Sequence, residues 1–267
     1  MTDTADSSTE LQREAIELQV AGRLVCGELL SPPIGRLAER PALLVAFSGS
    51  YAQTLNEAPY NLAGRHFLDR GHRVLSLDMP NHGSREDKYG QGIVGIHNAF
   101  VHGHKRFTQF AKEGTAALDH LIDRGLATAG RIAVAGTSRG GYAAMRLLAG
   151  DIRVVAAAGF APVTDWRFLS EFEADAQRDD VAVLRLHCFV REMTGRGVFL
   201  AIGHDDRRVN TASCCQLYLD LLMANIAAGH EHPPIEFFCT TDEGHSCGNE
   251  WYERGAAFLL KQIEAQG

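Results

Sequence analysis

Eight short apolar runs are spread along the chain, most of them separated by stretches of helical periodicity. Residues 14–20 and 23–30 flank Ala21-Gly22 and read as an opening hairpin, which Ser31-Pro32-Pro33 ends. Residues 42–47 are continuously apolar, as in a strand covered on both faces. Further runs at 73–77, 131–135, 154–158, 197–202 and 235–239 supply the other strands. Residues 58–70, closed by Gly71, read as a helix. So do residues 107–124, whose apolar positions Phe107, Phe110, Ala111, Ala117, Leu118, Leu121 and Ile122 follow a helical repeat. Helices are also expected at 142–149, 211–228 and 251–263. Residues 84–104, rich in Gly and His, show little periodicity and are expected to form a long loop at the edge of the site. Residues 165–195 are charged and helical, carry Trp166, Phe168, Phe172 and Phe189, and exceed what a connection in a compact α/β unit needs. A small helical cap is expected there. Alternating strands and helices imply a mainly parallel, eight-stranded sheet with helices on both faces. Ligands then bind beyond the carboxyl ends of the strands, where the loops collect.

Length and composition narrow this picture. The chain has 267 residues and a formal net charge of −7, which fits one α/β domain over 14–267 behind a polar N-terminal tail, 1–13. The absence of a basic block gives no footprint for nucleic acid. No apolar run approaches the ~18–20 residues of a membrane span. The N-terminus lacks the basic and apolar regions of a signal peptide. The six cysteines have neither C-x-x-C pairing nor zinc spacing, so reduced thiols in a cytoplasmic protein are expected. His97, His102 and His104 lie close together but without a further ligand set, and read as a polar loop. No metal and no cofactor are expected.

The strongest chemical signal is Gly136-Thr137-Ser138-Arg139-Gly140, a G-x-S-x-G pattern between the strand at 131–135 and the helix at 142–149. A serine on a sharp strand-to-helix turn points its Oγ away from the sheet. Side chains two positions to either side would strike the adjoining backbone, and glycine removes them. The competing reading is an ordinary turn with Ser138 as a helix N-cap, which requires no acid and no histidine downstream. Both occur. The strand at 197–202 leads into Gly203-His204-Asp205-Asp206-Arg207-Arg208-Val209, and the strand at 235–239 leads into Glu243-Gly244-His245-Ser246. A serine hydroxyl needs an adjacent base, which His245 supplies, and a carboxylate that orients that base. His204 adjoins the acid and is not the base.

The order Ser…Asp…His on late strands, with Ser138-Arg139-Gly140-Gly141-Tyr142 and Asp78-Met79-Pro80-Asn81-His82-Gly83, resembles the α/β-hydrolase superfamily over roughly 14–265. The elbow is similar to that of its prolyl-oligopeptidase-like and acetyl-esterase-like branch. The peptidases of that branch carry a propeller domain, for which this length leaves no room. The resemblance implies a serine hydrolase acting through an acyl-enzyme. It favours Asp206 over Asp205 as the acid, because Gly203-x-x-Asp206-x-x-Val209 resembles the family's acid turn. The other aspartate is expected to cap the next helix or pair with Arg207 or Arg208. The N–H of Arg139 is the first oxyanion donor. The second, by resemblance, comes from the loop Ser48-Gly49-Ser50-Tyr51, with Ser50 the donor and Tyr51 the alternative. Tyr51 and Trp166 are candidates for the substrate pocket, and Trp166 has plain packing under the cap as its alternative. The Arg139 side chain either meets a substrate carboxylate or forms a salt bridge.

The expected partner is a small-molecule acyl substrate, with a carboxylic ester the leading class. Thioesters, lactones and small amides or peptides stay open, as does a non-catalytic binding protein on the same scaffold. A homodimer paired through edge elements is compatible with the chain's size.

Overall fold

The computed structural model describes residues 10–266. Most of the expected polar tail, residues 1–9, lies outside them, and the tail ends earlier than expected because the first strand already begins at Gln12. The strands are β1 (Gln12–Val20), β2 (Arg23–Ser31), β3 (Leu43–Phe47), β4 (Arg73–Leu77), β5 (Ile132–Thr137), β6 (Val154–Phe160), β7 (Gly197–Asp205) and β8 (Ile235–Glu243). They form one eight-stranded sheet in the order β1-β2-β4-β3-β5-β6-β7-β8. β1 and β2 pair antiparallel, as do β2 and β4, and every other pair is parallel.

The helices are α1 (Tyr51–Asn56), α2 (Leu62–Leu68), α3 (Gly92–Val101), α4 (Arg106–Asp123), α5 (Arg139–Gly150), α6 (Asp179–Ala182), α7 (Val190–Met193), α8 (Thr211–Ala227) and α9 (Asn249–Glu264). α9 packs on β6 and β7 beside α2, and α4 packs beside α5, so both faces of the sheet are covered. Double coverage explains the unbroken apolar runs. Every residue of β3, β5 and β6 is buried, as are the first seven of β7. β8, at the free edge, is only partly buried.

The chain leaves β3 for β4 on one side, while β5 lies on the other. This reversal opens a crevice at the carboxyl ends of β3 and β5. Phe47 pairs with Gly136, so the loop after β3 and the turn after β5 leave the sheet side by side.

Three expectations change. Residues 84–104 are not one long loop, because 92–101 form α3. Gly92 and Gly95 hide its repeat of Ile93, Ile96 and Phe100. Gly95 is needed there, since a Cβ would sit 2.2 Å from the Gly90 carbonyl oxygen. Packing of His97 and Phe100 on Phe172 supplies what local propensity does not. The helix expected over 58–70 is shorter, α2 starting only at Leu62, and a separate helix not expected from the sequence, α1, precedes it at Tyr51–Asn56. Pro59, between them, lacks the N–H that an uninterrupted helix would use. Residues 165–195 contain only short helical pieces, the 3-10 turns Trp166–Phe168, Ser170–Asp175 and Leu186–Phe189 with α6 and α7. They are anchored to α5, where the Tyr142 hydroxyl donates to the Leu184 carbonyl at 2.7 Å.

The segment before α3 is held by charge. Arg85 donates to both carboxylate oxygens of Glu113 at 2.7 and 3.0 Å, and Glu113 on α4 is fully buried. Breaking such a pair strands an uncompensated buried charge. Arg85→Met should lower unfolding free energy by about 3–5 kcal/mol in urea titrations. Arg85→Met with Glu113→Leu should recover most of the loss.

Candidate active site

Ser138 stands between β5 and α5 with φ 56° and ψ −118°. A non-glycine residue in this region costs roughly 1–3 kcal/mol, so its surroundings must enforce it. They do so through backbone. The Ser138 N–H donates to the Phe160 carbonyl at 2.8 Å, and the Ser138 carbonyl accepts from Val163 at 3.0 Å. A Cβ on Gly136 would lie 2.2 Å from the Gly140 carbonyl, and one on Gly140 would lie 2.1 Å from the Phe47 oxygen. The glycines therefore let the first turn of α5 rest directly on the ends of β5 and β3.

The structure brings the three sequence-predicted polar residues into one chain. His245 Nε2 lies 3.0 Å from Ser138 Oγ, and His245 Nδ1 lies 2.7 Å from Asp206 Oδ2. The Asp206 side chain is fully buried, while the His245 ring is 29% exposed. The second Asp206 oxygen accepts from the N–H groups of Arg208 at 2.9 Å and Val209 at 3.1 Å. With both oxygens engaged by donors, this carboxylate is fixed in place. Nδ1–H then donates to Asp206, which leaves Nε2 as an acceptor for the serine proton.

Asp205 is different. It is exposed and pairs with Arg207 at 3.1 Å. His204 is exposed beside it. Thr211, which sequence reading did not single out, staples the acid turn. Its Oγ1 donates to the Gly203 carbonyl at 2.6 Å and accepts from the Asp206 N–H at 3.0 Å.

The loop after β3 completes the crevice. Ser50 caps α1, its Oγ accepting from the Gln53 N–H at 3.1 Å. The Ser50 N–H has no hydrogen-bond partner among the described residues, and the Arg139 N–H, in the first turn of α5, has no intrahelical acceptor. The alternative donor, the Tyr51 N–H, is already engaged by Asp78 Oδ1 at 2.9 Å. Asp78 is the organising residue the sequence reading passed over. Its other oxygen accepts from the Ser84 N–H at 2.8 Å and the Ser84 hydroxyl at 2.7 Å. The signal was present in Asp78-Met79-Pro80-Asn81-His82-Gly83. Gly83 has φ 56°, and a Cβ there would lie 2.5 Å from Asp78 Oδ1. The Tyr51 side chain is half-buried against the core. Trp166 is wholly buried among Phe107, Tyr142 and Phe172, with ring centroids 4.3–5.4 Å away, so its geometry is that of packing beneath the cap.

A family model described as "Alpha/beta hydrolase family" matches residues 44–263. The chain belongs to the alpha/beta hydrolase family. No curated protein matches it in sequence. Among solved structures it is similar to dipeptidyl peptidase 4 of Porphyromonas gingivalis, at 20% identity and TM-score 0.69 over 94% of this chain and 36% of that one. A puromycin-hydrolyzing peptidase of Mycobacterium tuberculosis gives 17% identity and TM-score 0.68 over 100% and 40%. This alpha/beta hydrolase thus spans well under half the length of these peptidases. An esterase of Pyrococcus furiosus gives 17% identity and TM-score 0.66 over 95% of this chain and 93% of that one.

The three clustered histidines of this alpha/beta hydrolase turn to separate partners. His97 meets Asp175 at 2.7 Å, His104 meets the Tyr89 hydroxyl at 2.8 Å, and His102 meets the Asn98 carbonyl at 2.7 Å. Cys247, next-but-one to His245, is raised by burial to about 11 and is a neutral thiol at ordinary pH. None of the described helices is long and apolar enough to cross a membrane.

His82 donates through Nδ1 to the Pro80 carbonyl at 2.8 Å and accepts at Nε2 from Arg139 Nε, also at 2.8 Å. Burial, then the adjacent guanidinium, lowers its pKa from 6.5 to about 4. Between these values the unfolded chain binds a proton that the folded chain refuses. Stability is therefore lost as pH falls from 6.5 toward 4, by about 3 kcal/mol from this residue. In urea unfolding, His82→Gln should lose about 3 kcal/mol less stability than wild type as pH falls across this window.

Proposed function

We propose that the protein is a serine hydrolase that cleaves a carboxylic ester through an acyl-enzyme. The observation that carries this reading is the hydrogen-bonded chain Ser138 Oγ–His245 Nε2, His245 Nδ1–Asp206 Oδ2. His245 takes the Ser138 proton as Oγ attacks the ester carbonyl. Asp206 holds the tautomer and stabilises the imidazolium. The tetrahedral oxyanion accepts from the Arg139 and Ser50 N–H groups, with the N-terminus of α5 favouring the negative charge. His245 then gives its proton to the departing alkoxide, leaving the acyl group on Ser138. A water molecule, deprotonated by His245, attacks the acyl carbonyl, and collapse returns the proton to Ser138 and releases the acid.

Ester chemistry is preferred to amide chemistry because, of the neighbours named above, the one matched over most of its own length is an esterase. The esterase of Pyrococcus furiosus is matched over 93% of its length, whereas the peptidase of Mycobacterium tuberculosis is matched over 40%.

Ser138→Ala should abolish p-nitrophenyl acetate and butyrate turnover and labelling by a fluorophosphonate, with an unchanged melting curve. Turnover equal to wild type in that variant would refute the mechanism. Asp206→Asn should lower kcat by about 10³–10⁴, because the amide no longer enforces the productive tautomer. Asp205→Asn, at an exposed ion pair, should leave kcat within about twofold of wild type.

A further inference from the structure

Arg139 carries a charge that the described residues do not balance. Among the described residues it forms no ion pair, and its one side-chain hydrogen bond runs from Nε to neutral His82. Burial pulls its pKa below the ordinary guanidinium value, yet an arginine remains protonated throughout the working range. Glu171 and Arg208 are the full charges whose fields reach it. They are spent on each other, since Arg208 donates to both Glu171 oxygens at 2.7 Å. A largely enclosed cation without an anion is costly, and such groups are ordinarily paired.

The geometry shows where the partner would enter. His82 fixes the Nε edge of the fork, and His82 is itself fixed by the Pro80 carbonyl. One terminal nitrogen, Nη2, comes within 3.1 Å of where a Cβ on Gly49 would be, so it flanks the loop that presents the Ser50 N–H. A side chain at position 49 would occupy this space. Neither Nη atom has an acceptor among the described residues, and neither is sealed from solvent. The open edge is a two-pronged donor, which matches a carboxylate. It is carried by the residue directly after Ser138.

We infer that the Arg139 guanidinium, braced by His82 beside the Gly49–Ser50 loop, binds a carboxylate on the substrate, so that the preferred esters are anionic. This rests on the hydrolase reading above and adds a substrate class to it. The charge selects among esters by binding and takes no part in the covalent steps.

The test compares monoethyl succinate, glutarate and adipate, charged on the acyl side, with their neutral monoamide counterparts. Acetyl esters of glycolate and 3-hydroxybutyrate, charged on the alcohol side, are set against their amides. A charge-assisted pair of this kind should favour the anionic member by about tenfold to a hundredfold in kcat/KM in at least one series. Arg139→Met should collapse that ratio toward one, and Arg139→Lys should restore part of it. Because the readout is a ratio within one variant, a general loss of activity does not mimic it.

A second measurement needs no turnover. Calorimetric binding of the same esters to Ser138→Ala should show the anionic preference, and Ser138→Ala with Arg139→Met should lack it. Wild type that hydrolyses charged and neutral esters equally would overturn the inference and leave the hydrolase reading standing. Wild type that hydrolyses neither overturns the hydrolase reading, and the calorimetry then decides the anion site alone. An unchanged ratio in Arg139→Met assigns the guanidinium to holding His82 and also overturns the inference.

Discussion

The site depends on one close approach. The first turn of α5 lies against the ends of β3 and β5 with no side chain between them, because Gly136 and Gly140 stand where any Cβ would overlap backbone. That contact places the Ser138 turn next to the Ser48–Ser50 loop, and it forces Ser138 into a left-handed conformation that isolated serine would avoid. The cost is met by the neighbouring strand, since both backbone groups of Ser138 are tied to residues at or after the end of β6. Position, exposure and strain at the hydroxyl are thus consequences of one packing constraint.

Around this fixed point the polar groups divide into two sets. Asp78 and Asp206 are buried carboxylates saturated with donors, and each immobilises a loop, the first joining Gly83–Arg85 to α1 and the second joining the β7 turn to His245. Arg139 is the opposite case, a largely enclosed cation whose forward donors have no acceptor among the described residues. Saturated groups hold the framework, and the unsaturated one faces the crevice. In a site of this kind, a missing internal partner is informative because enclosed charge is expensive.

Much of this could be read from the amino-acid order. The buried parallel strands appear as unbroken apolar runs because both of their faces are covered, and Ser138, Asp206 and His245 follow from the turns at strand ends. The choice between Asp205 and Asp206 needed a resemblance, since the sequence holds two adjacent carboxylates. The structure separates them by burial and by the two N–H groups that meet only Asp206. The missed elements share a cause. α3 takes its stability from Phe172, more than seventy residues later, and α1 from the Ser50 cap and Asp78, none of which shows in a local hydrophobic repeat. Trp166 illustrates the same limit, because an aromatic residue near a site reads alike whether it faces a ligand or three other rings.

The histidine arrives from an edge strand. β8 has a neighbour on one side only and is partly exposed along its length, whereas β5, which delivers the serine, is interior and wholly buried. Strands of this kind open locally at a lower free energy than the centre of a sheet. The hydroxyl and the imidazole therefore sit on regions of unequal durability. Peeling back the margin would part them while the central layers stay folded, so disabling the pair takes less free energy than melting the molecule.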